Sequence, residues 1–193
     1  MKICLIRHGE TDWNVARKLQ GREDILLNKN GILQAKQCGL ALSDTLWRAI
    51  ITSPLLRAKQ TADIMADVLE IQDVFSDDGF IERDYGKASG LSEIERKTLF
   101  PDGKYEGMEE WETLRDRVCS SVVKYAAEFY PHNIIIISHG GAINSVLAQL
   151  SNHEIGSGKT RLKNACINML SYDGKVIEIV FYNKSCDEVL GIS

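Results

Sequence analysis

No stretch of this chain is apolar for long enough to cross a bilayer. Its longest aliphatic run, residues 134–137, is far short of the ~20 residues a membrane helix needs. Basic charge is not in surplus either: 23 Lys and Arg stand against 27 Asp and Glu, for a net charge of −4. That excludes the basic face on which nucleic-acid and membrane-surface binding depend, so any cluster of arginines is local. The five cysteines, Cys4, Cys38, Cys119, Cys166 and Cys186, form no Cys-x-x-Cys pair and have no histidine at ligand spacing. A zinc site and a dithiol redox motif are thereby excluded, and buried reduced thiols are expected. With three prolines, no low-complexity tract and 44% hydrophobic residues, the chain is compact rather than disordered. Residues 1–6 are too short for a secretory signal and are followed by Arg7, so a cytoplasmic protein without membrane or nucleic-acid partners is expected. At 193 residues, one domain spanning 1–193 is expected.

Against these absences stand three short aliphatic runs, each ending in polar residues. Residues 3–6 run into Arg7-His8-Gly9-Glu10-Thr11, residues 49–52 into Ser53-Pro54, and residues 133–138 into His139-Gly140-Gly141. Runs without alternation are what strands covered on both faces look like. Helical spacing follows in between. Residues 31–43 carry Ile32, Ala35, Gly39 and Leu42. Pro54 suits a first helical turn, after which Ala58, Ala62, Met65 and Leu69 form one stripe. Residues 110–129 place Trp111, Leu114, Val118, Val122, Tyr125 and Phe129 on one face, and residues 142–150 open a further helix after His139. Residues 165–172 and 175–182 predict two strands joined by the turn Asp173-Gly174, and residues 100–107 predict a surface loop. The predicted fold is α/β, a three-layer sandwich whose central sheet is mostly parallel with an antiparallel edge.

Ligands of such sheets bind beyond the carboxyl ends of the strands. Arg7, His8, Arg57 and His139 fall at or just after those ends, with Glu82 in the intervening segment Phe80-Ile81-Glu82-Arg83. Two guanidinium groups and two imidazoles converging in an acidic chain would form a small cationic pocket. Phosphate suits it, because guanidinium offers paired donors to its oxygens, and a histidine held beside a permanent cation can attack phosphorus. Taken alone, each residue has a plainer reading: a histidine after a strand is usually a cap, and a loop glutamate is usually solvated.

The set as a whole resembles the histidine phosphatase superfamily, the group that includes cofactor-dependent phosphoglycerate mutases. The matching pieces are Arg7-His8-Gly9-Glu10-Thr11, Trp13-Asn14, Gln20-Gly21, Ser53-Pro54-Leu55-Leu56-Arg57-Ala58, Glu82-Arg83-Asp84-Tyr85-Gly86 and Ser138-His139-Gly140, in family order. The resemblance implies a phosphoglycerate mutase-like fold and two-step phosphoryl transfer. In it His8 is the nucleophile and Glu82 the proton donor and later the base. Arg7, Asn14, Arg57, His139 and Gly140 hold the phosphoryl group, while Gln20, Gly21 and Tyr85 line the substrate side. It implies a small phosphomonoester as partner (a sugar phosphate, phosphoserine or similar) and neither cofactor nor metal. Oligomeric state stays open.

Two alternatives stand beside hydrolysis: a phosphoglycerate mutase, and a phosphate-sensing module without turnover. Where the family's mutases carry a lysine after the Glu-Arg-x-Tyr-Gly segment, this chain has Ser92-Glu93. Their paired arginines have no counterpart in residues 101–114, and Gly141 stands where they have asparagine. An acidic flank predicts repulsion of a carboxylate-bearing bisphosphate, and hence a phosphatase. Gly156-Ser157-Gly158-Lys159-Thr160 is similar to the end of a nucleotide-binding P-loop. However, His153 stands where that motif needs glycine, and a helix rather than a strand is predicted just before it. No G-x-S-x-G serine turn is present.

Overall fold

The computed structural model describes residues 1–191. Six strands form one sheet: β1 (Lys2–Arg7), β2 (Ala49–Thr52), β3 (Val74–Ser76), β4 (Ile134–Ser138), β5 (Ile167–Tyr172) and β6 (Ile177–Lys184), in the order β3-β2-β4-β1-β5-β6. The first four in that order run parallel, and β5 and β6 form the antiparallel edge. The central strands bury both faces by alternation. Ile3, Leu5, Ile51, Ile134 and Ile136 face α5 (Trp111–Phe129) and α6 (Gly140–Leu150), joining Leu114, Val118, Val122, Ile143 and Leu147. Cys4, Ile6, Ile50, Ile135 and Ile137 join the opposite layer, where α2 (Lys29–Ala41) and α3 (Leu56–Leu69) supply Cys38, Ala58, Ala62 and Met65. The predicted three-layer sandwich is the observed one.

Register positions the site. Arg7 lies opposite Ser138, and Thr52 opposite Ile137, so β1, β2 and β4 release their chains at one end of the sheet. Gly9 follows the first of these ends because a Cβ there would run into the carbonyl of Gly31 in α2, against which the loop packs.

Several elements differ from expectation. α3 begins at Leu56, not Pro54, because Asp24 Oδ1 reaches across to accept the Leu56 N–H at 2.7 Å and sets the first turn. The terminal strands start two residues later than predicted. Ala165 takes a left-handed φ of 53°, and Asp173 Oδ1 accepts the N–H groups of Lys175 and Val176, lengthening the turn. Strand β3 and the short helices α1 (Asp12–Val15), α4 (Glu93–Leu99) and α7 (Cys186–Leu190) were not anticipated. Only Cys186 among their residues is buried, so they carry little periodic apolar signal. The 100–107 segment is a turn region tied down at its end, where Glu106 O accepts the Lys87 N–H and Met108 pairs with Tyr85. Of the five thiols, which form no disulfide, four are buried and Cys119 is half-buried.

Candidate active site

His8, the first residue after β1, is 2% exposed. Its Nδ1 lies 2.7 Å from the Gly9 carbonyl, and since a carbonyl oxygen only accepts, Nδ1 carries the proton. Nε2 is left with its lone pair, and Arg57 Nε donates to it at 3.2 Å. Burial, then the Arg57 and Arg7 cations, holds the imidazole well below its usual pKa, so the ring is neutral at neutral pH. The ring of His139 faces it, centroids 5.2 Å apart. His139 occupies the N-cap position of α6 without capping it. Its Nε2 pairs with Ser53 Oγ at 2.7 Å, its buried Nδ1 has no partner among the described residues, and burial followed by the Arg57 charge also keeps it neutral.

Both arginines are oriented by backbone carbonyls rather than by acids. Arg57, on α3 and 0% exposed, donates to Glu23 O at 2.6 Å and Gly21 O at 2.8 Å. Burial lowers its pKa to about 10, which leaves it charged at neutral pH. Arg7 donates through Nη1 to Leu162 O at 2.7 Å, and its buried Nε is without a partner among the described residues. A buried, unpartnered donor such as Arg7 Nε matches an oxygen of a bound anion, and His139 Nδ1 adds a second donor in the tautomer whose Nε2 accepts from Ser53.

Glu82, 8% exposed, reaches this group from the segment after β3. Its Oε2 accepts Gly141 N–H at 3.0 Å, while Oε1 accepts Ala142 N–H at 3.1 Å and Arg83 N–H at 2.8 Å. The carboxyl therefore sits on the amino end of α6, where the helix leaves N–H groups free. A Cβ at Gly141 would lie 2.5 Å from Glu82 Oε1, so any larger residue there would displace the carboxyl from this position.

All ten residues singled out from the sequence line or adjoin one cleft of about 470 Å³; His139 stands behind its lining, against His8 and Ser53. Asn14 closes a capping box in α1, where its Oδ1 accepts from Thr11 N and from Asn164 Nδ2. Gly140 lies 3.6 Å, measured from an added Cβ, from Arg7 Nε. The Gln20 Oε1 is buried and unpartnered among the described residues. Gly21, with a φ of 53°, turns its carbonyl to Arg57. Tyr85 lies under the Arg83 guanidinium, 5.9 Å from ring centre to carbon.

Sequence reasoning missed four supporting residues. Ser53 holds His139; its signal was its place at the end of β2. Asn164 donates to Asn14 and, at 3.4 Å, to the carbonyls of His8 and Gly9. Arg117 of α5 donates to the carbonyls of Gly79, Ile81 and Glu82 and pairs with Glu109, clamping the segment that carries Glu82. Arg161 lines the cleft from the segment just after the rejected P-loop motif. That motif follows α6 as a series of turns, so no strand precedes it. The expected acidic flank is not observed. Glu93 is paired with Lys97 at 2.7 Å, and it shares an adjoining cavity with Arg17, Lys18, Arg96, Arg161 and Lys163.

An α/β sheet that gathers two histidines, two arginines and a carboxylate at one end is the architecture of a phosphoryl-handling protein. The model of the histidine phosphatase superfamily (branch 1) matches residues 3–185, and the chain belongs to that superfamily. It is similar to an uncharacterized phosphatase, PhoE, of Bacillus subtilis (strain 168), 41% identical over 181 residues that cover 94% of this chain and 93% of the relative. It also resembles a probable phosphoglycerate mutase, GpmB, of Proteus mirabilis (strain HI4320), 31% identical over 184 residues and covering 89% and 85%. Among solved structures it matches a phosphoserine phosphatase of Entamoeba histolytica in complex with 3-phosphoglyceric acid. The TM-score is 0.80 at 25% identity, over 95% of this chain and 97% of that one.

Proposed function

We propose that this chain, as one domain over 1–193, is a phosphomonoester hydrolase that acts on small phosphorylated metabolites through a phosphohistidine. The observation that carries the reading is the tautomer of His8. With Nδ1–H donated to Gly9 O, Nε2 is the nitrogen free to attack once Arg57 Nε turns from it to a phosphoryl oxygen. In the first step Nε2 bonds to phosphorus, the P–O bond to the alcohol breaks, and Glu82 hands its proton to the departing oxygen. In the second, water attacks phosphorus and gives its proton to Glu82, the P–N bond breaks, and phosphate leaves. Splitting one displacement in two lowers each barrier. Charge on the equatorial oxygens is met by Arg7, Arg57 and His139, with Asn14 and Gly140 completing the nest and Gln20, Gly21 and Tyr85 beside the leaving group. The two guanidinium cations, with neutral His139 as a hydrogen-bonding partner, therefore do the work that a metal does elsewhere, and no metal is required. A cytoplasmic location suits such substrates and unpaired thiols.

The test is turnover of phosphomonoesters with chelator present. Wild type should release phosphate undiminished by EDTA. Acid-labile, alkali-stable phosphoryl-protein should be trapped on quenching. His8→Ala should lose both signals. Activity that EDTA abolishes, or that survives in His8→Ala, overturns the mechanism.

A mutase is the second reading, favoured by the basic cavity beside the cleft and by the similarity to the Proteus mirabilis protein. Incubation of 3-phosphoglycerate with 2,3-bisphosphoglycerate separates the two: a hydrolase yields free phosphate, a mutase yields the 2-isomer. A phosphate-sensing module without turnover would give neither.

A further inference from the structure

The loop at residues 158–162 is a built wall of the catalytic cleft. Three consecutive carbonyls are each held by a side chain: Thr160 O by Asn144 Nδ2 at 3.0 Å, Arg161 O by Asn183 Nδ2 at 3.2 Å, and Leu162 O by Arg7 Nη1 at 2.7 Å. Leu162 is itself buried, and Gly156 packs so closely on Ala148 of α6 that a Cβ would lie 2.7 Å away. Fixing this backbone fixes where Arg161 leaves it. Arg161 and Lys18 line both the catalytic cleft and the adjoining cavity of about 480 Å³, and Arg7, Asn14, Leu19 and Leu162 are shared between the two as well.

In a chain with net charge −4, this second cavity is strongly cationic. Its one acid, Glu93, is paired at the surface with Lys97, against five cations that line the cavity besides Arg7. Lys163 is matched by Glu188 at 3.0 Å and Arg96 donates to Leu91 O, but no acid among the described residues lies within ion-pair distance of Arg161 or Lys18, Glu95 acting on Lys18 only at longer range. Lys18 instead rests over the Trp13 ring, 5.5 Å from its centre. Like charges left together without counter-ions cost stability unless a ligand supplies the opposite sign.

Building on the phosphatase reading, we propose that Arg161 and Lys18, backed by Arg17 and Arg96, form a second anion subsite. The substrate is then a phosphomonoester whose alcohol carries a further anionic group, a carboxylate or a second phosphate, beyond the one being removed. Arg7, bonded to Leu162, couples the two subsites, with the transferred phosphoryl group on the His8 side and the second anion on the Arg161 side.

Matched substrates test this: 3-phosphoglycerate against glycerol 3-phosphate for the carboxylate, and 1,3-propanediol bisphosphate against its monophosphate for the second phosphate. Within each pair the reacting group is an alkyl phosphate of the same kind. Wild type should favour at least one anionic partner by about tenfold or more in kcat/KM, the pair showing the preference identifying the anion, and added salt should shrink it. In Arg161→Ala and Lys18→Ala the readout is the ratio within a pair, not either rate, and it should fall toward one, with Arg161→Lys retaining part of it. If wild type hydrolyses all four substrates with both ratios near one, or the variants keep the wild-type ratio, the subsite is wrong while the hydrolase stands. If no phosphomonoester is hydrolysed, the phosphatase reading fails first.

Discussion

At the scale of single residues, chemistry rests on where each hydrogen sits. The Gly9 carbonyl chooses the tautomer of His8, and the first N–H groups of α6 hold Glu82 from below. Loss of the Glu82 proton should show in the leaving group. In Glu82→Gln, kcat/KM for an alkyl phosphate should fall by about 10²–10⁴, while p-nitrophenyl phosphate, whose phenolate departs unaided, should change far less. Gly141→Ala, which pushes a methyl into Oε1, should give the same signature in weaker form. Equal losses on both substrates would remove Glu82 from the role of acid. The residue set was legible because it is local: Arg7-His8, Ser53 through Arg57 and His139-Gly140 each stand in one short motif at a strand end. Arg117 was not, since nothing in the sequence sets it apart from its neighbour Arg115; the difference is the three carbonyls that surround it in space.

At the scale of elements, α5 does more than cover the sheet. Its apolar stripe packs on β1, β2 and β4, while Arg117, one turn from Leu114, crosses to the 79–82 segment. Arg117 is a positioning residue. Arg117→Lys keeps the charge but loses the fork that reaches three carbonyls. It should lower kcat/KM on alkyl phosphates by about 10–100-fold through misplacement of Glu82, with a smaller loss on p-nitrophenyl phosphate. A merely structural arginine would depress both alike. The long elements followed from their apolar spacing. α4 and α7 did not, although Ser92 with Glu95 and Ser185 with Glu188 form capping boxes that were readable as start signals. Seven and five residues with almost no buried face give periodicity nothing to act on. The acidic flank failed for a related reason: Glu93 lies one helical turn from the Lys97 that cancels it, and the cations around it come from residues 17, 18, 96, 161 and 163.

At the scale of the molecule, two buried neutral histidines tie stability to pH. Unfolded, both imidazoles take up protons near pH 6.5; folded, burial and the Arg57 and Arg7 cations keep them neutral well below that. The unfolded state therefore binds more protons as pH falls. Stability is full above pH 6.5 and declines on acidification below it, by up to about 1.4 kcal/mol per pH unit for each histidine. Urea unfolding of wild type between pH 8 and 5 should show this slope, and His8→Asn with His139→Gln should flatten it; an unchanged slope would place the acid sensitivity elsewhere. The order of the sheet has a further consequence for folding. β1, which leads into His8, is the first of the six strands in chain order, yet its two neighbours in the sheet, β4 and β5, are the fourth and fifth. The surroundings of His8 thus depend on pairings of long sequence separation, which close late in folding, so the cleft forms together with the central sheet rather than before it.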